Sequence, residues 1–359
     1  MFAFIGDLHL GTKLPQKDYI DSLDMFLEII RKRDEVCHCI FVVGDLFEKK
    51  LSVDEYKFAS AFILNLVCNN CGKNGKKHVP VHFIHGTDSH DNGQYEIFMP
   101  MIEQLPDVEV FYTKKACVGN VAGRRVLYLP QEYQDIDYSK FFKDKYDVIV
   151  GHGPISSETK SPCKAAGYEI LHSAETLGEI SKLCVFGHYH GYTDFGNGVY
   201  YTGPWLRWKY GEDEERVFFY CDDDLKVKTI KNDIALEFET FHVYSPEELR
   251  IAVSKEGIDH PHRFIIHCKD GDLYEYHAIM NAYKKNLFLK YQIISEHRDV
   301  DDVVDSESIV STHSIVAPIP DLIEYVKDKY KEDVTEEVKD YESRIIGDSK
   351  PEAGMAESA

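Results

Sequence analysis

Short apolar runs alternate with longer amphipathic stretches over roughly the first two-thirds of the chain. The runs at Phe2–Ile5, Cys39–Val43, Val81–Ile84, Val126–Leu129, Val148–Val150 and Leu183–Phe186 have strand length and predict strands. From Tyr19 to Arg33, Ile20, Leu23, Phe26, Leu27 and Ile30 recur at helical spacing and predict a helix. Ser52 to Cys68 predicts a second, opened by a capping box of Ser52 and Glu55. Strands alternating with helices imply α/β layers. From Gly198 the helical patterns stop, and Val199–Thr202, Val217–Cys221 and Leu225–Ile230 predict short antiparallel strands. A mixed sheet, or a two-sheet sandwich with helices outside, fits this order better than a purely parallel sheet.

A second unit begins near Phe238. Ser245-Pro246-Glu247-Glu248 is a capped helix start with Pro in the first turn. A strand at Phe264–His267, a helix from about Leu273 to Tyr283 and a strand at Leu287–Ile294 complete a small α+β module. Residues 298–320 are acidic and turn-rich and read as a linker. Within 321–346, Leu322, Val326, Tyr330, Val334, Val338, Tyr341 and Ile345 mark one apolar helical face, with Val334-Thr335 as a potential break. Residues 347–359 are small and polar and are expected to be a disordered tail. The division is therefore 1–235, 236–297, a linker, a helical segment and a tail.

The 359 residues, 43% of them apolar, suffice for a sizeable core. No apolar run reaches the roughly 18 residues of a membrane span, and the first strand lacks the basic flank of a signal peptide. A cytoplasmic protein with no membrane contact is expected. Nine cysteines in such a chain do not suggest a disulfide framework; Cys39, Cys184 and Cys268 read as small core residues. Cys68 and Cys71 have C-x-x-C spacing without a second pair, which favours ordinary thiols over a structural zinc. The net charge of −21 argues against holding nucleic acid by a broad basic surface alone. The basic clusters at Lys73, Lys76 and Lys77 and at Arg124 and Arg125 read more readily as solvated loops than as a DNA track.

One pattern recurs five times: an apolar strand ends, Gly follows, then Asp or His. The instances are Gly6-Asp7-Leu8-His9, Gly44-Asp45, Gly86-Thr87-Asp88-Ser89-His90-Asp91, Gly151-His152 and Gly187-His188-Tyr189-His190. In an open α/β sheet the carboxyl ends of strands share one edge, so these side chains can converge. Glycine permits the tight turn and close backbone approach that convergence needs. Carboxylates mixed with imidazoles suit manganese, iron or zinc better than calcium or magnesium. Six or seven such ligands exceed one tetrahedral site and suit two divalent ions about 3.5–4 Å apart with a bridging carboxylate. Each motif alone is weak, a lone Gly-Asp being an ordinary turn; the ordered set is not.

The ordered set resembles the calcineurin-like metallophosphoesterases, and within them the SbcD-type DNA repair exonucleases, which work with an SMC-like ATPase. Gly6-Asp7-Leu8-His9-Leu10-Gly11, Val43-Gly44-Asp45-Leu46-Phe47 and Phe186-Gly187-His188-Tyr189-His190 followed by Tyr201-Thr202-Gly203-Pro204 carry the resemblance. It implies an α/β/β/α sandwich over 1–235, a capping domain over 236–297 and a C-terminal segment that docks an SbcC-type ATPase. It also implies a homodimer, DNA as substrate and two divalent ions, manganese first among them. Asp7, His9, Asp45 and His190 would hold one ion; Asp45 would bridge to a second, completed by His152 and His188. His90 would stabilise the transition state or protonate the leaving oxygen.

Two departures stand out. The family's Gly-Asn-His segment is replaced by Gly86-Thr87-Asp88-Ser89-His90-Asp91, so the missing ligand is Asp88, Ser89 or a backbone carbonyl, with Asp88 favoured as a carboxylate. Alternatively Asp88 replaces the histidine in register and His90 lies outside the shell. Glu48 stands where some members carry His. The leading expectation is a metal-dependent 3′–5′ exonuclease, with endonuclease activity as an extension. A phosphatase or cyclic phosphodiesterase is the alternative, and a non-enzymatic scaffold with a decayed site the third class.

Overall fold

The computed structural model describes residues 1–295, apart from 13, 34–35, 71–77, 92, 132–137, 209, 211, 213, 255–261, 269–272 and 284–288. The sequence-predicted linker, C-terminal helical segment and tail lie outside the described residues, as do Cys71 and the Lys73–Lys77 cluster.

The chain starts as β1 (Phe2–Ile5), α1 (Gln16–Lys32), β2 (Cys39–Val43), α2 (Val53–Cys68), β3 (Val81–Ile84), α3 (Asp88–Asp91) and α4 (Tyr95–Ile102). Strands β4 (Val110–Thr113), β5 (Cys117–Val121), β6 (Arg124–Leu129) and β7 (Tyr146–His152) follow. The pair β8 (Ile155–Ser156) and β9 (His172–Ser173) flanks α5 (Pro162–Ala165); α6 (Ala174–Ile180) and β10 (Ser181–Gly187) come next. Then come β11 (Thr193–Gly196), β12 (Val199–Tyr201), β13 (Val217–Cys221) and β14 (Val227–Lys231). The remaining elements are β15 (Glu239–Val243), α7 (Pro246–Ser254), β16 (His262–Cys268), α8 (Leu273–Ala282) and β17 (Leu289–Ser295).

Two six-stranded sheets result, ordered β14-β13-β1-β2-β3-β4 and β11-β12-β10-β7-β6-β5. Period-two alternation explains how they stack. Phe2 and Phe4 of β1, Phe41 of β2, Val126 and Tyr128 of β6, and Val148 and Val150 of β7 fill the layer between the sheets. Ala3, Ile5, Ile40 and Val42 face the opposite way, onto Leu23, Phe26 and Leu27 of α1 and Phe62 and Leu66 of α2. Leu127, Ile149, Cys184 and Phe186 meet Leu177 of α6 on the far side of the second sheet. Because every central strand is buried on both faces, it reads as a continuous apolar run. The layers are α/β/β/α, as the resemblance implied.

The strands absent from the sequence reading are largely edge strands or their neighbours. β4, β5 and β11 close sheet edges and expose alternate residues, so they carry no continuous apolar run. β14 begins at Val227 rather than Leu225, because Leu225 takes φ +64 in the turn over Asp222. Ser52 caps α2 with its side chain accepting from Glu55 N, and Glu55 returns the bond to Ser52 N. Arg124 and Arg125 open strand β6 rather than lie in a loop, and they pair with Asp147 and Asp144.

The last three strands form a separate parallel sheet, β15-β16-β17. Its core is Val243, Phe264, Ile266 and Cys268 against Leu249 and Val253 of α7 and Tyr276 and Met280 of α8. Ser245 accepts from Glu248 N at the start of α7, and Glu248 accepts from Tyr244 N.

Candidate metal centre

The site grows from where strands end. β1 and β2 are parallel neighbours, so Asp7 and His9 leave one strand beside Asp45 leaving the other. β10 and β7 are likewise parallel, with Gly187 opposite His152. His152 is the last residue of its strand rather than part of a loop. Asp7, His9, Asp45 and His188 all take positive φ, of 49°, 49°, 45° and 109°. Four non-glycine residues in that region are strained backbone held by the surrounding packing.

Two glycines make the convergence possible. Gly44 has φ +83, and a Cβ there would stand 2.2 Å from His152 Nδ1 and 2.8 Å from Gly86 Cα. Gly86 lies so close to Asp45 that a Cβ would meet its backbone nitrogen at 2.2 Å.

The described residues form three groups able to hold a metal: Asp7, His9 and His190; Asp45, His152 and His188; and His9, Glu48 and His90. In each, the ligand atoms lie within 4.8 Å of one another. The first two contain the six residues that the resemblance named as ligands, with Asp45 grouped with His152 and His188. Asp45 stands between them, with Oδ2 3.2 Å from His152 Nε2 and 3.8 Å from His9 Nε2.

Chemistry behind the ligands fixes their tautomers. Val43 O can only accept, so His152 Nδ1 donates to it at 2.9 Å and Nε2 is left toward Asp45. His9 Nδ1 donates to Glu48 Oε2 at 2.7 Å, leaving Nε2 toward the centre. Asp7 Oδ1 accepts from His188 N at 2.8 Å, leaving Oδ2. Asp7 Oδ2, His9 Nε2 and His188 Nε2 are buried without a hydrogen-bond partner. Three orphaned lone-pair atoms converging in one buried cluster are costly unless a cation takes them, so the residues fit a metal.

Electrostatics agree. Burial pushes the Asp7 carboxyl up. Burial also opposes the charge on Asp45, but the His152 and His9 imidazoles outweigh it and hold that carboxyl below its ordinary range. Burial disfavours the His152 imidazolium, yet Asp45 and Asp7 together push its pKa up to about 9. Burial, then the charge of His152, holds His188 down at about 3, so it is neutral and ready to ligate. A ligating His152 must lose its proton. Metal affinity of the apoprotein should therefore fall as pH drops below about 9, by up to about tenfold per unit for this one group. Calorimetric titration with manganese in buffers of different protonation enthalpy would detect the released proton.

The Thr87–Asp91 loop corrects the sequence expectation. Asp88 joins none of the three groups among the described residues: its carboxylate turns half-exposed toward His85, with Oδ1 2.9 Å from Nε2. His85 in turn bonds Tyr112 Oη through Nδ1 at 2.9 Å. Thr87 takes the place beside Asp45, donating N–H to Oδ1 at 2.6 Å and Oγ1–H to Oδ2 at 3.1 Å. Turned inward, Asp88 would bring a further carboxylate into an already acidic cluster, whereas the Thr87 hydroxyl donates to it. His90 stays at the site, its ring 4.7 Å from His9 and its Nδ1 donating to Glu48 O at 2.5 Å.

Sequence reasoning missed several members. Asp91 is fully buried and accepts from Gly86 N at 2.8 Å and Phe47 N at 3.2 Å, pinning the loop; burial, then Asp45, pushes its carboxyl up to about 8. Trp208 packs on both His9 and His190, with centroids 4.2 and 4.1 Å away. Glu212 Oε1 lies 3.4 Å from His190 Nδ1, and Glu212 Oε2 accepts from the buried Arg216 at 2.8 Å and from Trp208 N at 3.1 Å. Arg216 also donates to His190 O. Asp91 lay inside a quoted motif without being assigned a role, whereas Trp208, Glu212 and Arg216 had no sequence signal.

Residues 1–192 match the family described as calcineurin-like phosphoesterase. No curated protein matches the chain. Among solved structures, a protein of unknown function, AQ665 from Aquifex aeolicus, is similar at 12% identity and TM-score 0.27, over 50% of this chain and 93% of that one. A glutamine-dependent NAD+ synthetase from Acinetobacter baumannii, in complex with ADP, is similar at 10% identity and TM-score 0.33, over 97% of this chain and 70% of that one. At those scores neither likeness bears on fold or function.

Proposed function

The chain belongs to the calcineurin-like phosphoesterase family, and from that premise we propose that it is a two-metal DNA nuclease. Membership carries metal-dependent hydrolysis of phosphoesters; the substrate and the partner are the proposal. The activity we infer is 3′–5′ exonucleolytic, extending to endonucleolytic, in concert with an SMC-like ATPase of SbcC type that docks on residues 321–346. A cytoplasmic homodimer belongs to the same reading.

Asp7, His9, Asp45 and His190 would hold one ion, and Asp45, His152 and His188 the other; bound there, the pair supplies charge for the phosphate and an activated water. His152 is locked by the Val43 carbonyl, so its ligating nitrogen is pre-aimed. Thr87 holds both Asp45 oxygens by hydrogen bonds and keeps that carboxylate from rotating. With Nδ1 of His90 committed to the Glu48 carbonyl, Nε2 is the atom that can pass a proton to the leaving sugar oxygen.

The observation that supports a nuclease over a small-molecule phosphatase is the β15–β17 unit, with a core of its own, following the sandwich. Hydrolysis of a small phosphate ester needs only the sandwich. A phosphatase or cyclic phosphodiesterase is the alternative, favoured by the net charge of −21, which opposes DNA binding by this chain alone. Full-length protein with manganese should degrade linear duplex DNA from its 3′ ends, faster with the ATPase present. Hydrolysis of p-nitrophenyl phosphate with duplex DNA left intact, even with the ATPase, would sink the nuclease reading and leave the phosphatase.

A further inference from the structure

A sixth strand exit reaches the metal centre without the glycine that marks the other five. β6 runs parallel to β7, with Leu129 opposite Gly151. Gln131, which follows Pro130, therefore emerges beside the chain that leaves His152; a Cβ on Gly153 would stand 3.8 Å from Gln131 Cγ. The Gln131 N–H donates to His85 O at 3.4 Å, which ties this exit to the turn that begins at Gly86. The residue is only 8% exposed, and its amide oxygen points inward, with Oε1 3.3 Å from Thr87 Oγ1.

That hydroxyl oxygen also lies 3.1 Å from Asp45 Oδ2 and 3.4 Å from His152 Nε2. Because His152 Nδ1 donates to Val43 O, the ring in its ligating form presents a lone pair at Nε2. Three acceptors thus surround one hydroxyl hydrogen, and Asp45 Oδ2, the nearest, takes it. The Gln131 oxygen and the His152 nitrogen are left facing each other's lone pairs. His188 Nε2, buried without a partner, belongs to the same cluster. Buried acceptors without donors are costly, and a cation among them removes the cost. Asp88, the carboxylate favoured from the sequence, is turned to His85 and leaves its place in this group open. An amide carbonyl suits manganese, adds no charge beside Asp7 and Asp45, and has no proton to lose.

We propose that Gln131 ligates the ion of the Asp45–His152–His188 half-site through Oε1, with Thr87 as the residue that positions it against Asp45. The inference rests on the two-metal reading of the centre.

The test is titration of metal-free, full-length protein with manganese alone, the free ion being followed by electron spin resonance, with urea unfolding measured before and after loading. Gln131→Leu should weaken one of two bound ions at least roughly tenfold and leave the other as in wild type. Gln131→Glu, which returns an oxygen to the same place, should keep both. A packing role would be served by leucine at least as well as by glutamate. Metal-free Gln131→Leu should unfold at no lower urea than wild type, since a buried acceptor has been removed. Manganese should then raise its midpoint by less than it raises that of wild type. In a His188→Ala background, Gln131→Leu should leave the remaining ion unaffected, because both changes act on the same ion. Gln131→Met takes the place of Gln131→Leu if that variant does not fold. Two ions held with wild-type affinity in Gln131→Leu, or equal losses in Gln131→Leu and Gln131→Glu, overturns the inference while the two-metal reading stands. Wild type that binds one manganese ion or none overturns both.

Discussion

Asp45→Asn is expected to leave a folded protein that binds one manganese ion or none and hydrolyses phosphodiesters at least about a thousandfold more slowly. Asp45 is the only carboxylate within ion-pair reach of ligands from both half-sites among the described residues, at 3.2 Å from His152 Nε2 and 3.8 Å from His9 Nε2. Asparagine preserves the shape but not the chemistry. Its amide nitrogen is a donor, and it would face Thr87 N–H or Thr87 Oγ1–H, which now donate to Asp45. The charge that pushes the His152 pKa up disappears with it. A thousandfold loss corresponds to about 4 kcal/mol of transition-state stabilisation, reasonable for a residue shared by two ions. Metal analysis after gel filtration, with initial rates on a phosphodiester, checks both halves. A variant with two bound ions and a rate within tenfold of wild type would remove Asp45 from the bridging position.

Gly44→Ala is the second large effect, and it acts through backbone geometry. The residue holds φ +83, where an L side chain costs about 1–2 kcal/mol. The new Cβ would sit 2.2 Å from His152 Nδ1 and 2.8 Å from Gly86 Cα. Relieving that overlap moves His152 off the Val43 carbonyl or separates the β2 and β3 exits, at about 1–3 kcal/mol more. A stability loss of about 2–5 kcal/mol in urea unfolding of the metal-free protein is expected, together with loss of tight metal binding. Gly123→Ala is the internal control. Gly123 has a similar φ, +79, in the β5–β6 turn, but a Cβ there meets nothing within 4 Å. Only the conformational cost, about 1–2 kcal/mol, should appear there. Equal losses in the two variants would mean that close approach at Gly44 contributes nothing.

These two positions mark how far the site was legible in the sequence. Asp7, His9, Asp45, His152, His188 and His190 each follow a glycine that ends or directly succeeds an apolar strand, and each was identified from that local pattern. The central strands were legible for the same kind of reason. Buried on both faces, β1, β2, β7 and β10 read as unbroken apolar runs, while half-exposed edges such as β5 and β11 did not.

What surrounds the ligands was not legible. The choice of Thr87 over Asp88 as the neighbour of Asp45 depends on which way a short helix starts after Gly86, and on His85 and Tyr112 capturing the Asp88 side. Glu212 approaches His190 from 22 residues further on, in a segment with no periodic pattern. The sequence alone therefore determined the strand exits and the donor types, whereas the division of the ligands into two groups was implied by the family resemblance. These follow from covalent neighbours: an apolar run must be buried, and the polar residue after its glycine must leave the sheet at one edge. The tertiary structure alone decided the hydrogen bonds behind His9 and His152 and so their tautomers. Those are contacts between residues tens to more than a hundred positions apart, set by packing of the two sheets rather than by any local spacing.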